Sequence, residues 1–169
     1  MRKTPAARIS LGGMLAALAV VIMNLVGLIP VATFVCPMLC MMILSLVLRF
    51  CGKRIGWAWF GAVAILSALL SPDKEAAAIF VFIGYYPLLK PAFDKMKIGG
   101  VLKFLLFNFA VLLMYWLLIN LFGLAQIAQE YRELGLLMTI FMLITGNLIF
   151  FMLDRILGRL AIITKLGRK

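Results

Sequence analysis

Chemistry needs side chains that hold or move charge, and this chain of 169 residues has few of them away from its turns and ends. It contains no histidine and three cysteines, Cys36, Cys40 and Cys51. Without histidine, the usual side chain for proton transfer near neutral pH is missing. Cys36 and Cys40 are four apart, so a helix puts both thiols on one face. Two thiols with no third or fourth ligand nearby make a poor zinc site. The cysteines therefore read as small buried apolar groups, and neither a metal nor another cofactor is expected. The sequence has no G-x-x-x-x-G-K-S/T loop, no H-E-x-x-H and no G-x-S-x-G, so no catalytic role is expected.

What remains are uncharged polar residues inside apolar runs: Asn24, Ser45, Ser67, Asn108, Asn120, Thr139, Thr145 and Asn147. Asn108 and Asn147 each lie a few residues in from the basic end of their runs, roughly 9–11 Å deep at helical rise. There they could hydrogen-bond across an antiparallel helix pair. Asn24, Thr33, Asn120 and Thr139 fall in the opposite half, below a rim of Asp73, Lys74, Glu130, Tyr131 and Arg132. Together these could floor and lid a pocket for a small polar ligand; the alternative is a solvated loop over a packed bundle. The candidate substrate-binding residues are Asn24, Thr33, Lys74, Asn120, Tyr131, Arg132 and Thr139.

The elements that must position these residues are long and apolar. Two-thirds of the chain is hydrophobic and only 14% is charged, against about a quarter charged in a soluble domain. Ile9 to Leu48 carries no charged side chain over 40 residues. A bilayer core of about 30 Å needs roughly 20 such residues of helix, so this run crosses twice, folding back near Gly27 and Pro30. The runs are continuous rather than alternating, which excludes a β-barrel; helices are the remaining way across. The sequence predicts a single all-α transmembrane domain over 1–169 with six spans, at about 9–29, 33–50, 55–70, 72–89, 101–123 and 134–153. The first apolar run is too long for a signal-peptide core of about 7–15 residues, so it is expected to stay uncleaved.

Local signals refine the spans. Trp57 and Trp59 near the start of the third fit an interfacial belt. Ser71-Pro72-Asp73-Lys74-Glu75 predicts a helix start with Ser71 as N-cap and Pro72 in the first turn. Pro87 should kink the fourth span, and Tyr85 and Tyr86 beside it either line a site or anchor at the interface. Lys90 to Lys97 reads as a short surface helix ended by Gly99-Gly100. The tail 154–169 mixes Ile156, Leu157, Leu160, Ile163 and Leu166 with five cations, the pattern of an amphipathic basic helix on a membrane surface. In the first span, Gly12/Ala16 and Gly13/Ala17 are small-residue pairs four apart, a spacing that admits another helix closely. That helix is either one of this chain's own or one from a partner.

The net charge of +11 has a topological explanation. With both termini, the 49–54 turn and the 90–103 segment on one side, that side holds fifteen Lys/Arg, and the other holds Lys74 and Arg132. By the positive-inside rule both termini are cytoplasmic, in a multi-pass protein of the plasma membrane. The basic charge thus faces lipid headgroups, and nucleic acid is not an expected partner.

Six spans, both ends inside, and the first-span sequence Gly12-Gly13-Met14-Leu15-Ala16-Ala17-Leu18-Ala19 resemble the substrate-binding S components of energy-coupling factor transporters. In that family an A-x-x-x-A pattern on the first helix docks on a transmembrane coupling protein. Here glycine replaces the first alanine in Gly12/Ala16 and Gly13/Ala17. The resemblance implies uptake of a small organic, vitamin-like nutrient, energised by separate coupling and ATPase subunits. It also implies that Gly12, Gly13, Ala16 and Ala17 face that partner. The family often covers its site with a longer connection between spans 1 and 2 than Pro30 to Val35 supplies. Its cobalt- and nickel-specific members carry histidine ligands near the amino end, and this chain has none. Two other roles remain open: a structural or assembly membrane protein without a small-molecule ligand, and an integral-membrane enzyme acting on lipid. The enzyme would need paired acids or a nucleophile, and Asp94 and Asp154 sit in no recognisable motif.

Overall fold

The computed structural model describes residues 4–28, 32–120, 140 and 143–160. Seven helices follow one another among them: α1 (Pro5–Asn24), running into a 3-10 turn at Leu25–Leu28, α2 (Ala32–Phe50), α3 (Lys53–Leu70), α4 (Lys74–Ile83), α5 (Tyr86–Phe93), α6 (Gly99–Asn120) and α7 (143–160). No strand occurs among the described residues. Five segments are long and apolar enough to cross a bilayer: Pro5–Gly27, Thr33–Phe50, Lys53–Leu70, Lys74–Phe93 and Gly99–Leu117. The chain is an all-helical, multi-pass membrane protein, and these segments match the first five expected spans. Of the sixth, 134–139, 141 and 142 lie outside the described residues.

The chain divides into two compact units, Met1–Ala92 and Phe93–Lys169. In the first, α1 to α4 pack around a continuous core that includes Ala19, Met23, Cys40, Leu44, Val47, Val63, Ala76 and Phe80. Several helix ends have a local cause. Thr4 caps α1, its hydroxyl accepting from the Ala7 N–H at 3.4 Å, with Pro5 in the first turn. Gly52 opens α3 at φ +97°, a left-handed conformation that costs a side-chain-bearing residue about 1–2 kcal/mol. Gly27 lets the end of the first span close on the α3–α4 turn, since a Cβ there would stand 2.8 Å from Pro72 Cγ.

The cap of α4 differs from the expectation. Asp73, not Ser71, is the N-cap, and Lys74 is the first helical residue. Ser71 closes α3 instead, its N–H donating to the Ser67 carbonyl at 2.9 Å. One carboxylate oxygen takes two orphan amides of the first turn, Glu75 and Ala76, and the second oxygen is left for the Thr33 hydroxyl, a bond that a serine hydroxyl in the cap position could not also supply. Downstream, the chain breaks at Gly84–Tyr85 and restarts as α5 with Pro87 in its first turn. The proline-directed kink is thus a full separation into two short helices.

Aromatic placement also departs from the sequence reading. Trp57 is exposed, as a belt residue would be, but Trp59 is buried edge-on to Phe80 at 6.5 Å. Phe60 touches Phe80 at 5.7 Å and Tyr85 at 6.0 Å, and Tyr86 is buried. These rings knit α3 to α4 and the break after it. All three cysteines are buried and unpaired by disulfides.

In the second unit α6 and α7 run antiparallel. As numbers rise along α6 they fall along α7: Lys103 meets Asp154, Phe107 stacks on Phe150 at 4.5 Å, and Asn108 meets Asn147. The pair Gly99-Gly100 begins α6 and does not end the preceding helix. α7 passes through Asp154 without interruption as far as 160. The boundary expected between sixth span and tail is therefore no break in the backbone, and 161–169 lie outside the described residues.

Candidate functional site

The first unit has two chemically unlike ends. One is marked by Arg8, whose carbonyl accepts from Cys51 Sγ at 3.2 Å. The other is marked by Met23, whose carbonyl accepts from the Ser71 hydroxyl at 3.1 Å. The Met23 end gathers three of the candidate binding residues.

Asp73 is the hub there. Its Oδ1 accepts from the amides of Glu75 at 2.9 Å and Ala76 at 3.2 Å. Its Oδ2 accepts from the Thr33 hydroxyl at 2.8 Å. One carboxylate therefore caps α4 and ties it to the first turn of α2. Lys74 is exposed, yet its ammonium donates to the carbonyls of Ala68 and Ser71, both at 3.1 Å. A cation there complements the negative end of the α3 dipole. Asn24 is half-buried, and its Nδ2 donates back to the Val20 carbonyl at 2.8 Å. Its Oδ1 has no partner among the described residues. Thr33 and Lys74 are thus brought into one hydrogen-bonded turn around Asp73 and Ser71, with Asn24 directly after Met23. Tyr131, Arg132 and Thr139 lie outside the described residues. Asn120 closes α6, and its side chain is likewise outside them.

The four expected docking residues split between two faces of α1. Gly12 is buried: a Cβ on it would stand 3.3 Å from Ile55 Cγ2 and 4.0 Å from Cys51 Sγ. Ala16 is half-buried against the core. Gly13 and Ala17 are exposed, and nothing lies within 4 Å of a Cβ built on Gly13. One small-residue pair serves the chain's own packing, and the other is left open on the surface of the unit.

Two features of chemical interest carry no motif in the sequence. Pro37 is buried inside α2, where it denies the Thr33 carbonyl its usual helical donor. Lys103, with 13% of its side chain exposed, is ion-paired to both Asp94 and Asp154. The amide pair Asn108/Asn147 was a usable signal for the second. Once it fixes the antiparallel register, 103 and 154 fall opposite each other.

No family model matches the chain, and no match to it was found among curated proteins or solved structures.

Proposed function

We propose that the chain is a membrane-embedded binding subunit for a small organic nutrient, with coupling and ATP hydrolysis supplied by separate subunits. The observation that carries this reading is the split of the α1 small-residue pairs. Gly12 and Ala16 are used internally, while Gly13 and Ala17 stand open on the outward face. Close helix–helix approach in lipid relies on such residues, so this face suits a second transmembrane protein. Ligand would bind at the Met23 end, where Asn24 keeps an amide oxygen available and Thr33 and Lys74 stand near it. The protein would present ligand by moving relative to the partner, and both termini would face the cytoplasm of a plasma-membrane protein.

Co-expression with a coupling protein and its ATPases tests this. Gly13→Leu with Ala17→Leu should abolish co-purification and uptake, while Met14→Leu, on the lipid-exposed surface, should leave both intact. Assembly unaffected by the double change would overturn the docking face.

A structural or assembly role is the second reading, and one observation favours it. Thr33, Asp73 and Lys74 already satisfy one another and nearby carbonyls, as a tertiary clasp would. Native mass spectrometry of gently purified protein separates the two: a retained small molecule supports the first, and a non-ATPase membrane partner without one supports the second.

A further inference from the structure

The other end of the first unit is a cationic patch built by three helices. Arg8 is in the first turn of α1, Arg49 in the last turn of α2, and Lys53 and Arg54 open α3. Two contacts hold these together: Cys51 Sγ donates to the Arg8 carbonyl at 3.2 Å, and Gly12 packs on Ile55 and Cys51. The chain's first 92 residues contain two acids, Asp73 and Glu75, and Asp73 belongs to the opposite end. Among the described residues none of Arg8, Arg49, Lys53 and Arg54 forms an ion pair. Lys53 and Arg54 are exposed, whereas the Nε of Arg8 is shut off from solvent with no partner.

This placement works against local stability. Cations in the first turn of a helix oppose its dipole, and α3 has neither an acid there nor a side-chain cap. Like charges on three neighbouring helix ends also repel. Both penalties vanish if an anion sits among them. For helices that cross a bilayer, the anion available at a span end is the phosphodiester of a lipid headgroup, and Ile9, Trp57 and Ile65 leave exposed apolar flanks on α1 and α3 beside the patch that acyl chains could cover.

We propose that Arg8, Arg49, Lys53 and Arg54 form a binding site for the headgroup of an anionic phospholipid in the leaflet at that end. A uniform attraction of the whole protein to a charged surface would be indifferent to which cations are removed. A built site would not. The lipid site stands or falls independently of any transport role.

The test uses the full chain in detergent with equimolar phosphatidylglycerol and phosphatidylcholine, read by native mass spectrometry. The wild type should retain phosphatidylglycerol preferentially. Arg8→Gln with Arg54→Gln should cut that preference about tenfold, since each cation near an anionic surface contributes severalfold. Lys53→Gln with Arg54→Gln, both exposed, should do the same without touching the packing. Lys95→Gln with Lys97→Gln removes the same charge from exposed positions of the second unit and should leave the preference unchanged, as should Arg8→Lys. Equal loss in the Lys95/Lys97 variant would reduce the effect to net charge and overturn the site. So would retention in both patch variants. Displacement of the lipid by millimolar inorganic phosphate would also overturn it, by showing that a free anion suffices.

Discussion

Asn108 and Asn147 exchange two hydrogen bonds, each amide nitrogen donating to the other's oxygen at 3.0 Å. Each nitrogen also donates at 2.8 Å to the carbonyl four residues earlier in its own helix, Phe104 and Leu143. Both protons of each amide are therefore placed. The pair fixes the register of α6 against α7 in a setting where apolar contacts alone would permit sliding.

Removing one partner should cost more than removing both. Asn147→Leu leaves the Asn108 amide unpaired and should destabilise the second unit by about 1–2 kcal/mol. The double change Asn108→Leu/Asn147→Leu should recover part of that loss. Unfolding in mixed detergent micelles, read as a double-mutant cycle, measures the coupling; additive losses would show that the amides do not act as a pair.

Among the described residues of the second unit, Lys103 should be the most sensitive charge. Lys103→Met leaves Asp94 and Asp154 facing each other and should cost about 1–3 kcal/mol, below the value for a fully buried pair because Asp94 is 47% exposed. Asp154→Asn should cost more than Asp94→Asn, since Asp154 is only 24% exposed. High salt should narrow the gap between wild type and Asp94→Asn.

Neighbouring glycines in α1 should answer oppositely to enlargement. Gly12→Leu drives a side chain into Ile55 and should cost about 1–3 kcal/mol. Gly13→Leu enters open space and should stay within about 0.5 kcal/mol of wild type. Thermal unfolding of the two variants side by side measures this.

Asp73→Ala should cost about 1–2 kcal/mol, the upper part of the range for losing a helix cap, because Thr33 loses its acceptor as well. Asp73→Asn should cost less. Thr33→Val should cost less than Asp73→Ala, since both amide bonds of the cap survive it.

The thiols should be shielded. Cys36, Cys40 and Cys51 are all buried, so a membrane-permeant maleimide should label none of them in the folded protein within minutes and all three after denaturation. Mass spectrometry counts the adducts.

Hydropathy made the spans legible, because a run such as Ile9 to Leu48 has no soluble alternative. The Asn108/Asn147 bond was legible for a related reason: few polar groups occur at that depth, so each has few possible partners. What the sequence concealed were choices among similar residues close together. Ser71 and Asp73 are both good caps two apart, and only the chain path to Met23 and Thr33 decides between them. Trp57 and Trp59 look alike as belt residues, yet two positions along a helix turn one outward and the other into the core. The docking residues divided likewise. Periodicity says that Gly12 and Gly13 point in different directions, but not which of them meets Ile55.

The break at Gly84–Tyr85 leaves helices of 10 and 8 residues where one crossing was expected. At about 1.5 Å per residue neither piece alone reaches across the hydrocarbon layer. Half of the apolar stretch of Lys74–Phe93 is shielded by protein, against 33% or less in the other four crossing segments among the described residues. Such a segment is a poor candidate for independent residence in lipid while the protein is being made, since its interrupted backbone needs neighbours to satisfy it. Biogenesis therefore has an order imposed on it: α2 and α3, the helices α4 packs against, must stay beside the insertion machinery until α4 emerges and docks on them.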